Sequence, residues 1–295
     1  MKRLNFAILT LVAAFALTFC AAANAEDFET YHVWPGVAPG EKADAVMPTY
    51  EIWKPAEKTT DACLIVCPGG AYNGLAYGHE GDKIARYFVG KGVTTVVLKY
   101  RVPRREGIPK HMAAWQDAQR CVRVVRSRAE ELGINPEKIG ILGFSAGGHL
   151  TLMTSTTSLT NSYEPVDDID KLSASVNFAV PVYPAYVLED GADGPNSGKG
   201  NDSTMVDDFA FDEKTPPMCF IHGDGDGYSS MASVMCYRQL RKMGIPGEMH
   251  IYAYANHAFF NCGPDAPIRK YPQRVYEWLQ TLGVIEAPES AKVEH

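Results

Sequence analysis

Ile139-Gly140-Ile141-Leu142-Gly143-Phe144-Ser145-Ala146-Gly147-Gly148-His149-Leu150 decides how the rest of the chain is read. A short apolar run suited to a buried strand passes into G-x-S-x-G, and small residues follow where a helix would begin. A serine at such a strand-to-helix turn is exposed only if the backbone bends sharply beside it. Crowding at the bend requires flanking residues without bulky side chains, which Gly143, Ala146, Gly147 and Gly148 satisfy. The five-residue pattern is common by itself, and the strand before it and helix after it are what give it weight.

Working outward, short β-branched runs alternate with longer helical ones, a rhythm that predicts a parallel α/β sheet. The expected strands are Cys63 to Cys67, Val93 to Leu98, Ile139 to Leu142, Val176 to Val182, Met218 to Ile221 and Glu248 to Tyr252. Ala114, Ala118, Val122, Val125, Ala129 and Leu132 recur at helical spacing, with Gly133 placed to cap that crossover helix. Further helices are expected over Asp82 to Val89, Ala146 to Thr156, Ser230 to Met243 and Tyr271 to Leu282. The sum is one α/β domain over residues 62–284, a mostly parallel central sheet with helices on both faces. Residues 26–61 read as an extended lead-in and 285–295 as a tail. Tyr183 to Thr215, rich in Gly, Asp, Asn and Ser, lacks a period and reads as a long functional or mobile loop.

Composition narrows the function classes. The chain has 295 residues, 46% hydrophobic and 21% charged, which excludes disorder, collagen and coiled coil. A net charge of −7 leaves no basic footprint, so nucleic acid is not an expected partner. Lys2 and Arg3, the apolar run Phe6 to Phe19 and Ala23-Asn24-Ala25 form a secretory signal, with cleavage expected after Ala25 and an exported, periplasmic or extracellular, product. The apolar run is too short for a stable membrane span. Lipid attachment at Cys20 is the weaker alternative, because Phe19 stands where a lipobox has a small residue. Six cysteines remain after that cut, mostly inside apolar runs, and are expected to be mainly free thiols. No spacing makes a zinc site.

A serine hydroxyl becomes a nucleophile when a base takes its proton and a carboxylate orients that base. For a serine at a G-x-S-x-G elbow between strand and helix the expected order along the chain is Ser, acid, His. His257, in the loop Ala255-Asn256-His257-Ala258-Phe259 after the last strand, is the candidate base. His149 and His250 fall within a helix and a strand, where packing or hydrogen bonding accounts for them. The loop Gly223-Asp224-Gly225-Asp226-Gly227-Tyr228 offers two acids, of which Asp226 is favoured and Asp224 is left to brace the turn. A hard-metal reading of His222, Asp224, Asp226 and His257 is supported by no spacing. Cys67-Pro68-Gly69-Gly70-Ala71-Tyr72 supplies backbone amides for an oxyanion, with Gly70 and Ala71 as donors and the amide of Ala146 completing the pocket.

With Pro68-Gly69-Gly70-Ala71-Tyr72, Gly143-Phe144-Ser145-Ala146-Gly147-Gly148-His149-Leu150, His222-Gly223 followed by Asp226, and Asn256-His257 in that order, the chain resembles an α/β-hydrolase. More narrowly it resembles the secreted carbohydrate esterases of that superfamily, the acetyl-xylan and feruloyl esterase-like group related to hormone-sensitive-lipase-type esterases. The likeness spans Ala62 to Leu282. It departs from the group at Ala71, where Gly is usual, and at Asn256-His257-Ala258, where Gly-His-Gly is common. The resemblance implies hydrolysis of a small-molecule or glycan ester, without a cofactor. Tyr72, Asn73 and Tyr228 are candidate walls of a sugar subsite. The acidic loop favours a neutral substrate. An exopeptidase or amidase on the same scaffold, and a non-catalytic sugar-binding protein, are the competing readings.

Overall fold

In the computed structural model, which describes residues 27–189 and 203–291, the apolar runs pair into one sheet. Its strands are β1 (Glu29–His32), β2 (Thr49–Trp53), β3 (Cys63–Cys67), β4 (Thr94–Lys99), β5 (Ile139–Phe144), β6 (Phe178–Val182), β7 (Met218–Gly223) and β8 (Gly247–Tyr252), in the spatial order β1-β2-β4-β3-β5-β6-β7-β8. From β4 through β8 every pairing is parallel, and β1 and β2 add an antiparallel edge. The expected signal segment and part of the unpatterned stretch, residues 190–202, lie outside the described residues.

Parallel strands joined by crossovers are covered on both faces, and period-two alternation then divides each strand between two cores. Cys63, Ile65 and Cys67 of β3 face one core, and Leu64 and Val66 face the other. The first core takes α2 (Met112–Ser127), α4 (Ala146–Thr156) and α5 (Met231–Met243); the second takes α1 (Lys83–Val89) and α6 (Tyr271–Thr281). The crossover helix is interrupted. It ends at Ser127, whose hydroxyl donates to the Val124 carbonyl, and resumes as the single turn α3 (Ala129–Leu132), which Gly133 closes in a left-handed conformation. Helix α4 is buried along its whole length, as a helix sandwiched between layers must be. Its Thr154, Ser155 and Thr156 hydroxyls are satisfied by the carbonyls of Leu150, Thr151 and Leu152.

The lead-in differs from the reading of it as merely extended, because two of its segments join the sheet. β2 carries a charge at its centre, Glu51, and this is why it does not read as a buried strand. The structure spends that carboxylate on Tyr77 Oη (2.6 Å), Trp53 Nε1 (3.3 Å) and an ion pair with Lys99. Trp34 is fixed likewise, donating from Nε1 to Asp117 (2.7 Å), which is also paired with the buried guanidinium of Arg101. Arg101, Asp117 and Trp34 thus tie the lead-in, the end of β4 and α2 together.

The described cysteines are all free, as the apolar setting of most of them suggests. Burial pushes the Cys63 and Cys236 thiols up to about 12, so they behave as small apolar groups.

Gly140 shows how tightly side chains pack between neighbouring strands of the sheet. A Cβ there would stand 2.0 Å from the ring of Phe178 on the adjacent strand. Gly140→Ala is expected to destabilise the fold by about 1–3 kcal/mol through overpacking, measured as a lower denaturation midpoint at unchanged slope. Stability equal to wild type would mean that the Phe178 ring has room to move.

Candidate active site

At the end of β5 the chain turns into α4 through Ser145, held at φ 53° and ψ −117°, a conformation costly for a residue with a side chain. Three backbone bonds hold it there. Ser145 N donates to Val182 O (3.1 Å), while its carbonyl accepts from His149 N (2.9 Å) and Ala185 N (3.1 Å). The flanking glycines meet neighbouring backbone: a Cβ on Gly143 would lie 2.1 Å from Gly147 O, and one on Gly147 would lie 2.1 Å from Cys67 O.

The two loops at the ends of β7 and β8 bring the expected partners to this serine. His257 Nε2 lies 2.8 Å from Ser145 Oγ, and its Nδ1 lies 2.9 and 2.8 Å from the two carboxylate oxygens of Asp226. With Nδ1 protonated and donating to Asp226, Nε2 is left to accept from the serine hydroxyl. The Asp226 side chain is fully buried and also accepts from Tyr228 N (2.8 Å). Burial works to raise its pKa, but the His222 and His257 imidazoles outweigh it and hold the carboxyl below its ordinary range. Asp224 is exposed, two residues upstream, and accepts from Ser230 Oγ (3.3 Å), which is the bracing role expected of it.

The atoms a metal would need from this group are engaged elsewhere. His222 is buried, with Nδ1 on Ser233 Oγ (2.8 Å) and Nε2 on Tyr228 O (3.1 Å). His250 pairs with Glu248 (2.7 Å), and His149 accepts or donates at Nδ1 to Tyr72 Oη (2.9 Å).

The glycine-rich loop after β3 lies directly against the elbow, since a Cβ on Gly69 would meet Phe144 O at 2.7 Å and Ser145 Cβ at 3.0 Å. Gly70, Ala71 and Tyr72 have φ of 133°, 56° and 58°, so successive amides swing round the turn. Gly70 O accepts from Asn73 N and Gly74 N, leaving the amides of Gly70, Ala71 and Ala146 with no acceptor among the described residues. Three backbone donors beside a serine hydroxyl can hold an oxyanion.

The sugar-wall candidates divide. Tyr228 stays at the site, its ring 4.9 Å from that of His257, and Asn73 is exposed on the oxyanion loop. Tyr72 is corrected: it is 0% exposed, packed on Tyr100, Tyr186 and His149, and cannot touch a ligand. Its positive φ turns the ring inward, which the sequence does not reveal. Cavity size does not find the site either. A cleft of about 980 Å³ is lined by His79, Glu80, Tyr183, Ala258 and Phe259, with neither Ser145 nor His257 in its wall.

Glu80 was not foreseen. Buried behind the oxyanion loop, it accepts from Gly69 N at Oε2 (2.7 Å) and from Tyr183 Oη at Oε1 (2.8 Å), and the Tyr183 ring packs 5.1 Å from His257. Burial raises its pKa. One carboxylate thereby spans the loop and the base. Nothing in the sequence marks it, since Glu80 stands among Gly78, His79, Gly81 and Asp82 as an exposed loop acid would. The His257 loop is braced by a second unforeseen device, in which Asn256 and Asn261 exchange side-chain and backbone bonds (2.9 and 3.1 Å) and Arg269 binds the carbonyl of Phe259 (2.8 Å).

Sheet order, elbow and the loops that meet it define an esterase-like α/β-hydrolase. The BD-FAE family model matches residues 50–203, just over half of the chain, and the protein belongs to that family. It is 27% identical over 218 residues to an acetylxylan esterase of Xylanibacter ruminicola, covering 69% of this chain. The chain spans 42% of that relative's length. Among solved structures, an acetyl ester-xyloside bifunctional hydrolase from Caldicellulosiruptor lactoaceticus superposes with TM-score 0.72 at 26% identity, covering 87% of this chain and 97% of that one. A thermophilic esterase from Thermogutta terrifontis with propionate bound shares the fold, with TM-score 0.68 at 23% identity, covering 89% and 97%.

Removing the Glu80 carboxylate strands the Gly69 amide and the Tyr183 hydroxyl. Glu80→Ala is therefore expected to cost about 1–3 kcal/mol of stability for the groups left unsatisfied, read by chemical denaturation. Glu80→Gln, which keeps one acceptor oxygen, should lose less. Equal stability in all three proteins would show that Glu80 does not hold the loop.

Proposed function

We propose that the protein is an exported carboxylic ester hydrolase that removes small acyl groups, acetyl in particular, from polysaccharide or oligosaccharide. The observation that carries this reading is the continuous line of hydrogen bonds from Asp226 through His257 to Ser145 Oγ. Ser145 Oγ attacks the ester carbonyl while His257 Nε2 takes its proton. The oxyanion that forms is held by the amides of Gly70, Ala71 and Ala146. Collapse expels the sugar hydroxyl, which receives the proton from His257, and leaves an acyl group on Ser145. Water, deprotonated by the same imidazole, then releases the carboxylic acid and restores the serine. No external oxidant, metal or cofactor enters these steps.

The glycan part of the reading rests on three supports. Two of the named similar proteins are an acetylxylan esterase and an acetyl ester-xyloside bifunctional hydrolase. Tyr254 and Phe260, 88% and 74% exposed, flank the His257 loop and give flat apolar surface of the kind kept exposed for a ligand. The net charge of −7 disfavours an anionic polymer. Export is supported by the charged start, apolar run and Ala23-Asn24-Ala25, and it would place the enzyme where polymer fragments are found.

Purified protein is to be assayed on p-nitrophenyl acetate, acetylated xylan and an aminoacyl nitroanilide. Turnover of the two esters is expected; preference for the anilide would favour an amidase, and no turnover would remove catalysis from the reading. Ser145→Ala and Asp226→Asn should each lose roughly 10⁴-fold in turnover, with circular dichroism unchanged, and Asp224→Asn should lose far less. An impaired Asp224→Asn beside an active Asp226→Asn would reassign the acid. Asp226 is held below the ordinary carboxylate range by its imidazole partners, so raising the pH from about 5 to 8, a span above the ordinary carboxylate pKa of about 4, should not change kcat/KM through protonation of Asp226.

Export makes a separate prediction. Protein recovered from an exporting host should have an intact mass and N-terminal sequence that start at Glu26. A retained apolar segment, or a diacylglyceryl group on Cys20, would overturn it.

A further inference from the structure

Behind the oxyanion loop, three side chains from separate parts of the chain converge without any role in the hydrolysis. His111 precedes α2, His149 lies four residues beyond Ser145 on α4, and Asp208 belongs to the segment that follows β6. His111 Nδ1 and His149 Nε2 each lie 3.8 Å from the same oxygen of Asp208, and all three ligand atoms fall within 4.8 Å of one another. We infer that His111, His149 and Asp208 form a binding site for a divalent transition-metal ion of the zinc type.

Two imidazoles and one carboxylate are a donor set suited to zinc, cobalt or nickel, whereas calcium and magnesium call for oxygen ligands. Ligand atoms around tetrahedral zinc stand about 3.3–3.4 Å apart, given zinc–ligand bonds of about 2.0–2.1 Å. Each histidine therefore needs to close on Asp208 by about half an ångström from 3.8 Å, and the two histidine nitrogens, within 4.8 Å of each other, must also draw together to reach zinc spacing. Asp208, 44% exposed on its side chain, is the member free to close the two carboxylate separations, and small ring rotations of His111 and His149 would close the third. The histidines are 5% and 1% exposed, so their rings are held in place by the surrounding core. The outer partner is also in place. Tyr72 Oη, 2.9 Å from His149 Nδ1, can accept the proton on that nitrogen and direct Nε2 towards the ion. Phe209 packs edge-on against His149 at 5.2 Å and limits solvent on one side. A metal here would pin the segment around Asp208 to the nucleophile helix and, through Tyr72, to the oxyanion loop. The part assigned to it is structural.

The inference does not rest on the esterase reading, and its test reads binding. The full-length protein, stripped with a chelator, is titrated with zinc and with cobalt. One equivalent per chain should bind, with visible cobalt bands of a low-symmetry site and a rise in the thermal midpoint. His111→Gln and Asp208→Asn should each weaken binding by more than about tenfold, since each removes a ligand. His257→Gln and His250→Gln should leave it intact, because they alter the catalytic centre and the Cys219, Glu248 and His250 group. Absence of binding, binding indifferent to His111→Gln and Asp208→Asn, or binding lost in His257→Gln or His250→Gln would overturn the proposal.

Discussion

The close approach of backbone to backbone where β3 and β5 end governs the rest of the structure. Gly147 lies against the Cys67 carbonyl and Gly69 against the Phe144 carbonyl, with no room for a Cβ at either. These contacts lock the glycine-rich loop to the strand-to-helix turn. They force Ser145 into its positive φ, a strain of about 1–3 kcal/mol that the surrounding bonds must offset. Ser145 and the amides of Gly70, Ala71 and Ala146 are consequently positioned by one packing event. The loops of β7 and β8 only have to deliver a carboxylate and an imidazole to a fixed point.

Two buried carboxylates serve that point, and their surroundings drive them apart. Asp226 is held below the ordinary range by the His222 and His257 imidazoles despite its burial. For Glu80 burial prevails and raises the pKa, although it accepts from a backbone amide and a phenol. Such a difference assigns different tasks to chemically similar groups. Asp226 remains an anion that orients His257, and Glu80 is a clamp on Gly69 and Tyr183.

The parallel core of the fold was legible because buried strands are written as continuous apolar runs, and Cys63 to Cys67 or Phe178 to Val182 can be little else. β2 was not, because Glu51 interrupts its apolar pattern, and its burial depends on Tyr77 and Lys99 from distant parts of the chain. The same division applies at the site. Ser145, Asp226 and His257 could be proposed from motif and chain order, which depend on local turns. Glu80 and the Asn256–Asn261 exchange depend on what faces what across the sheet, and spacing carries no trace of that. Tyr72 was misjudged for a related reason, since one residue's left-handed φ decides whether an aromatic ring after a glycine pair faces ligand or core.

Ala71 and Ala258 give the departures from the resembling group a physical meaning. Both stand where glycine is usual, and both adopt positive φ, 56° and 55°. Alanine pays about 1–2 kcal/mol in that region, so each loop must be overdetermined elsewhere. The first is held by Gly70 O accepting from two amides and by Tyr72 O accepting from Arg104 N (2.6 Å). The second is held by the Asn256–Asn261 exchange and by Arg269. Tyr72, Ser145, Tyr183 and Phe259 also have positive φ, which concentrates backbone strain around one serine while the regular strands and helices carry almost none. A fold that tolerates this many costly conformations in one place gains rigidity there, because each is stabilised only by the arrangement it helps to define. Donors fixed in advance need not reorganise as charge develops on a bound carbonyl, and that is the condition under which backbone amides stabilise an oxyanion most.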